Sequence, residues 1–153
     1  MSAVHIVALG EGELVHIANT SLQIIEDGSR TDHRLGVARS TLPAKTPGPL
    51  QHRHREHDEG FLVTRGTLVF TVGSDTYEVP TGSFVMVPIG QPHTFANPFD
   101  EDAEFITTFT PDSYVQYFRD IEALANGSGL TLESVKALME RYATELVADG
   151  PSA

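Results

Sequence analysis

From Val4 to Phe109 the chain is a succession of short apolar runs, each four to eight residues long and bounded by Gly, Pro, Asn or Asp. Val4–Leu9, Leu14–Ile17, Leu22–Glu26, Leu35–Leu42, Phe61–Thr64, Thr67–Val72, Thr76–Val79, Phe84–Val87, His93–Asn97 and Phe105–Phe109 are rich in Val, Ile, Phe and Thr and read as strands. Within Thr67–Val72, Leu68, Phe70 and Val72 alternate with Thr67, Val69 and Thr71, so opposite faces carry different chemistry. Arg65-Gly66 is expected to make a tight hairpin, and Gly73-Ser74-Asp75 another turn. This density of short strands predicts an all-β sandwich or barrel.

The pattern changes near Pro111. Ser113 and Gln116 have capping-box spacing, and Tyr114, Tyr117, Phe118, Ile121 and Leu124 follow at helical intervals. Asn126-Gly127-Ser128-Gly129 stops that helix. Thr131 is placed to cap a second helix with Leu132, Val135, Leu138, Met139, Tyr142 and Leu146 as its apolar stripe. Such stripes are ordinarily core packing. Residues 14–110 are thus expected to form the barrel and 112–148 a helical tail, within one domain spanning 1–153, and Gly150–Ala153 reads as a frayed end.

Composition narrows the function classes. Ten Lys+Arg against twenty-one Asp+Glu give a net charge of −11, so phosphate backbones and anionic lipid are repelled and neither nucleic acid nor membrane is an expected partner. The absence of cysteine excludes disulfide scaffolds, thiolate metal sites and thiol catalysis. No apolar run approaches the roughly 18 residues of a membrane span. Met1–His5 lacks a basic, then apolar leader, which predicts no signal peptide and a cytoplasmic location.

Seven histidines remain to be placed. His5, His16 and His33 stand alone and read as ordinary strand or surface residues. His52 and His54 are two apart, and on a strand both rings share a face with Cα atoms roughly 6.6 Å apart, at a rise of about 3.3 Å per residue. Two ring nitrogens at that separation are able to meet on one ion. If the chain turns over Arg55–Asp58, Glu59 returns to the same pocket, while the rigid segment Pro88–Pro92 fixes where His93 begins its run. A His-x-His pair alone is a weak sign, and solvated charge accounts equally well for Arg53–Asp58.

Residues 52–97 resemble the two motifs of the cupin superfamily. The first is G-x5-H-x-H-x3,4-E-x6-G; here His52-Arg53-His54 precedes Glu59 by four intervening residues, and Gly66 follows after six. The second is G-x5-P-x-G-x2-H-x3-N, filled at every defining position by Gly82, Pro88, Gly90, His93 and Asn97. The first motif departs only at its opening glycine: Thr46 stands there, and Gly48 comes two residues late.

The resemblance implies a cupin double-stranded β-helix, a jelly-roll barrel, here with two C-terminal α-helices. It implies His52, His54, Glu59 and His93 as ligands of one divalent transition metal (Fe, Mn, Ni, Co or Zn), a set that suits such ions. Four protein ligands leave positions open for a Lewis-acid or oxygen-activating centre. Glu56 and His57 are rival ligands that the motif does not support, Asn97 is expected to hold a turn, and Gly66, Gly82 and Gly90 are turn glycines.

Thr110–Asp120 and Arg141–Glu145 further resemble the helical tail of small quercetinase-like monocupins. That resemblance implies a dioxygenase acting with O2 on a small aromatic, flavonol-like substrate, with Glu59 as both ligand and catalytic base. A non-oxidative isomerase, lyase or cyclase, or a ligand-binding protein without turnover, is the alternative. Phe61, Phe70, Phe84, Met86, Phe95 and Phe109 are candidate pocket residues that read equally as core. Strands left unpaired near the N-terminus predict a homodimer.

Overall fold

The computed structural model describes residues 3–148. Ten strands come first: β1 (Glu13–Ile17), β2 (Thr20–Asp27), β3 (Gly36–Leu42), β4 (His52–His54), β5 (Asp58–Arg65), β6 (Thr67–Val72), β7 (Asp75–Pro80), β8 (Phe84–Val87), β9 (Thr94–Ala96) and β10 (Ala103–Thr110). Helices α1 (Val115–Asn126) and α2 (Leu132–Arg141) follow, and a last short strand, β11 (Thr144–Leu146), closes the described chain.

Six strands form one sheet in the order β1-β2-β3-β10-β5-β8; β7-β6-β9 form a second, and β11-β4 a third. The β4 pair joins the second sheet through an antiparallel bridge between His52 and His93, and a further bridge joins Thr46 to Asn97. Asn97 is fully buried and secures that corner, its Nδ2 donating toward the carbonyls of Leu42, Pro43 and Glu101 at 3.0, 3.1 and 2.8 Å.

Two apolar clusters result. Leu42, Phe61, Val63, Leu68, Phe70 and Phe105 pack inside the barrel from alternate positions of β3, β5, β6 and β10. Val15, Ile24 and Phe109 meet Tyr114, Val115, Tyr117 and Ile121, so the aromatic stripe of α1 covers β1 to β3 as core. Burying surfaces of this kind supplies roughly 25 cal/mol per Å² of apolar area removed from water.

Several local expectations are corrected. Val4–Leu9 is not a strand; Val4, Ile6 and Leu9 lie exposed and unpaired, because strand composition without a neighbouring ladder does not make a strand. Arg65-Gly66 is not a hairpin but a corner, where the chain leaves β5 in one sheet to begin β6 in the other. Gly66 is required there: φ is +70°, and a Cβ would meet the Asp102 carbonyl at 2.6 Å. Gly73-Ser74 does join a hairpin, with Val72 opposite Asp75.

Ser113 does not cap α1, since Asp112–Tyr114 form a 3-10 turn that runs directly into the helix, and Gln116 instead bonds Asp120 at 3.0 Å. Thr131 does cap α2, in a reciprocal arrangement with Ser134 at 3.0 and 2.9 Å. That helix stops at Arg141, leaving Leu132 exposed and placing Leu146 on β11. Gly150–Ala153 lie outside the described residues.

Candidate metal centre

The period of two along β4 sends His52 and His54 inward and leaves Arg53 at the surface. On the facing sheet, Glu59 points inward from β5, in register with Phe61 and Val63. His93 stands just before β9, bridged to His52 by paired backbone bonds of 3.1 and 2.9 Å. Two strands of one layer and one of the other therefore aim four donor side chains at a common interior point, and all four are buried. His52, His54 and His93 each bring one ring nitrogen within 4.8 Å of the others.

The proton on each imidazole is fixed from behind. His52 Nδ1 lies 2.7 Å from the Leu50 carbonyl and His93 Nδ1 lies 3.0 Å from the Gln91 carbonyl. His54 Nδ1 lies 2.7 Å from Thr144 Oγ1, whose own hydroxyl donates to the Tyr142 carbonyl at 3.1 Å. Thr144 therefore accepts from His54. All three rings carry their proton on Nδ1 and turn an Nε2 lone pair inward, the arrangement metal-ligating histidines adopt.

Those lone pairs face a carboxylate. Glu59 Oε1 is 3.2 Å from His54 Nε2, and Oε2 is 3.1 Å from His93 Nε2. His54 Nε2 is buried with no hydrogen-bond partner. Acceptors packed this closely repel unless a cation lies among them. Burial pushes His52 down to about 4 and His54 below its ordinary value, so protonating the rings is a poor remedy. Burial alone would raise Glu59, but positive charge and N–H donation from the imidazoles of His54, His57 and His93 hold it well below the usual carboxylate range, so this point calls for positive charge whether a proton or a metal ion supplies it. Two donors about 2.1 Å from one ion and at right angles lie about 3.0 Å apart, close to the observed spacings. The donor set fits a divalent transition ion.

His57 is also drawn in. It is buried, with Nε2 3.2 Å from Glu59 Oε1, and with His54 and Glu59 it makes a second trio of donors within 4.8 Å. Glu56, the other rival, is exposed. Tyr114 stacks on His57 with centroids 4.8 Å apart and on Tyr117 at 4.6 Å, and burial raises the Tyr114 phenol well above its ordinary value.

Phe61 lies 6.2 Å from His93 and packs with Phe70, Phe95 and Phe105. Phe84 and Met86 lie on the outer face of β8 and do not line the interior, while Phe109 belongs to the cluster beneath the helices. Surface clefts lined by Glu13, Asp27 and Arg119, and by Asp120, Leu138 and Arg141, lie away from the cluster.

The resemblance to the cupin motifs implied His52, His54, Glu59 and His93, and the fold brings these four side chains together in its interior. Thr144 and Tyr114 had no such signal: Thr144 reaches the site through the pairing of β11 with β4, and Tyr114 through the 3-10 turn that follows β10. His57 had one, being two residues before Glu59, although it lies just ahead of β5.

Comparison with known proteins agrees with this architecture. Residues 38–109 match the family described as Cupin domain. No functionally curated protein matches the chain in sequence. Among solved structures, a predicted oxalate decarboxylase from Thermotoga maritima is 18% identical with a TM-score of 0.65, covering 70% of this chain and 99% of its own. A cupin-superfamily sugar phosphate isomerase from Silicibacter pomeroyi is 23% identical with a TM-score of 0.61, over 69% of this chain and 75% of that one. A polyketide cyclase from Streptomyces resistomycificus is 16% identical with a TM-score of 0.63, over 74% and 94%. At such identities the likeness extends to the fold and no further. The chain thus has the jelly-roll cupin fold, and its match to the Cupin domain family falls on residues 38–109, across the motif-bearing strands.

Proposed function

We propose that this chain is a metal-dependent enzyme acting on a small molecule, a dioxygenase of the quercetinase type whose substrate is aromatic and flavonol-like. The observation that carries the metal reading is the orphaned Nε2 of His54, buried among two further imidazole lone pairs and an ionised carboxylate. His52, His54, Glu59 and His93 would hold the ion. Once bound, it would supply Lewis acidity toward a substrate oxygen and a centre for O2 chemistry.

The chain's own residues supply the rest. Glu59 is held as a carboxylate, so it is able to take the proton of a substrate hydroxyl at a side-chain oxygen. Phe61, beside His93, and Phe95, which packs on Phe61, are the aromatic side chains this reading assigns to the apolar wall for a flat ring. Burial excludes water from the four donors and strengthens each electrostatic contact among them. We place the protein in the cytoplasm as a homodimer, a reading supported by the position of β1 at a sheet edge.

The test is oxygen consumption on flavonols by protein loaded in turn with Fe, Mn, Ni, Co or Zn. Oxygen uptake with a ring-opened product supports the dioxygenase. Product formed without oxygen assigns the centre to an isomerase, lyase or cyclase, and saturable binding without turnover assigns it to ligand capture.

A further inference from the structure

We propose that His57 is the positioning residue of the metal centre: its Nε2–H holds Glu59 Oε1 and thereby leaves Oε2 as the oxygen presented to the ion. The inference rests on the metal-centre reading above. His57 has no counterpart in the cupin motifs and belongs to a second trio, with His54 and Glu59, that shares His54 with the first.

Its ring is nevertheless held in an aromatic cluster with Tyr114 and His54, which also contact each other at 4.5 Å. Tyr114 stacks on it at 4.8 Å with 27° between planes, and His54 lies 4.1 Å away at 33°. Phe109 closes a further side at 6.1 Å. A ring packed against these neighbours keeps its orientation, and its Nε2 edge meets Oε1 at 3.2 Å.

The partners behind the rings separate His57 from the ligands. His52, His54 and His93 each have an acceptor behind Nδ1, whereas the one hydrogen-bond contact of the His57 ring among the described residues is Nε2 to Oε1, so its proton belongs on Nε2. A proton on Nε2 turns the contact into a charge-assisted hydrogen bond. Oε1 lies 3.2 Å from His54 Nε2 as well, but it is then engaged by the His57 N–H, while Oε2 lies 3.1 Å from His93 Nε2 with no such donor on it. Partners of this kind behind a ligand typically alter metal affinity 10- to 100-fold when removed.

Cobalt(II) serves as the probe, because its visible absorption reports ligand number and geometry. Its dissociation constant and spectrum are to be measured for wild type, His57→Phe, which keeps a flat ring but donates nothing, and His57→Gln, whose amide places an N–H near the position of Nε2. His57→Phe is expected to bind cobalt about tenfold more weakly with altered visible bands. His57→Gln is expected to recover most of the affinity and the wild-type bands. The melting temperature of each metal-free variant checks the fold, and His57→Met replaces His57→Phe if the larger ring does not fold. Wild-type affinity and spectrum in His57→Phe overturn the positioning role and leave the centre standing. A Gln variant as impaired as Phe also overturns it, because the loss then lies with the imidazole itself. A wild type that binds no cobalt overturns the metal centre and this role with it.

Discussion

Thr144 Oγ1 sits 2.7 Å from His54 Nδ1, across ninety residues of sequence. The contact exists because β11 pairs with β4 and sets Thr144 directly opposite His54. The tail beyond the barrel is therefore part of the candidate centre: it chooses the tautomer of one donor, while backbone carbonyls choose the other two.

Replacing Thr144 by Val keeps the shape and removes the acceptor. Metal affinity is expected to fall about tenfold, with Thr144→Ser restoring most of it. Competition against a chelator measures this. Unchanged affinity in the Val variant would mean that the tail packs on the site without tuning it.

Glu59→Gln and His54→Ala should fail differently. The amide is nearly isosteric with the carboxylate, so the barrel should fold and three imidazoles should retain weakened metal, yet turnover should be nearly abolished. His54→Ala should lose most of the metal. Full activity of Glu59→Gln at saturating metal would reduce Glu59 to a ligand and send the search for a base elsewhere.

Gly48, which follows the expected motif position by two residues, has a packing reason to lack a side chain. A Cβ there would lie 1.8 Å from the Phe95 carbonyl oxygen, so Gly48→Ala must push β9 away from its neighbour. A loss of roughly 1–3 kcal/mol is expected from overpacking of this kind. Gly82 has positive φ with nothing within 4 Å of a built Cβ, so Gly82→Ala should cost only about 1 kcal/mol of backbone strain. Urea denaturation of the two variants checks the order, and a reversed order contradicts it.

A pH dependence follows from the contact that ties α2 to α1. Tyr142 donates to Asp120; burial first and this bond second push the phenol from 10.0 up to about 12. The fold therefore favours the protonated phenol. Its contribution is fully present below about pH 10 and is lost as pH rises through about 12. The stability gap between wild type and Tyr142→Phe, followed by denaturant midpoints, should be constant near neutrality and shrink above about pH 10. A gap that persists at high pH would show the hydrogen bond to be without weight.

Much of this was legible from sequence because it was local. Alternation located the β6 face carrying Leu68 and Phe70, and the resemblance to the cupin motifs singled out His52, His54, Glu59 and His93. What escaped was decided by partners far along the chain. Val4–Leu9 has strand composition but no ladder to join, whereas Thr144–Leu146, read as the end of a helix, finds one in β4. Gly66 looked like a hairpin glycine because a tight turn and a change of sheet demand the same positive φ. His57 lay within the period-two signal, but its hydrogen bond and its stack on Tyr114 needed the folded chain.

Metal content measured together with thermal stability tests the central claim most directly. Because His52, His54 and His93 face Glu59 from the opposite sheet, a bound ion would fasten the two layers and stabilise the folded state by mass action. Reconstituted and dialysed wild type is expected to retain about one divalent ion per chain, with a melting temperature that falls on chelation and recovers on reloading, while His54→Ala shows neither. Substoichiometric metal after reconstitution, with no shift in melting temperature, would contradict the account.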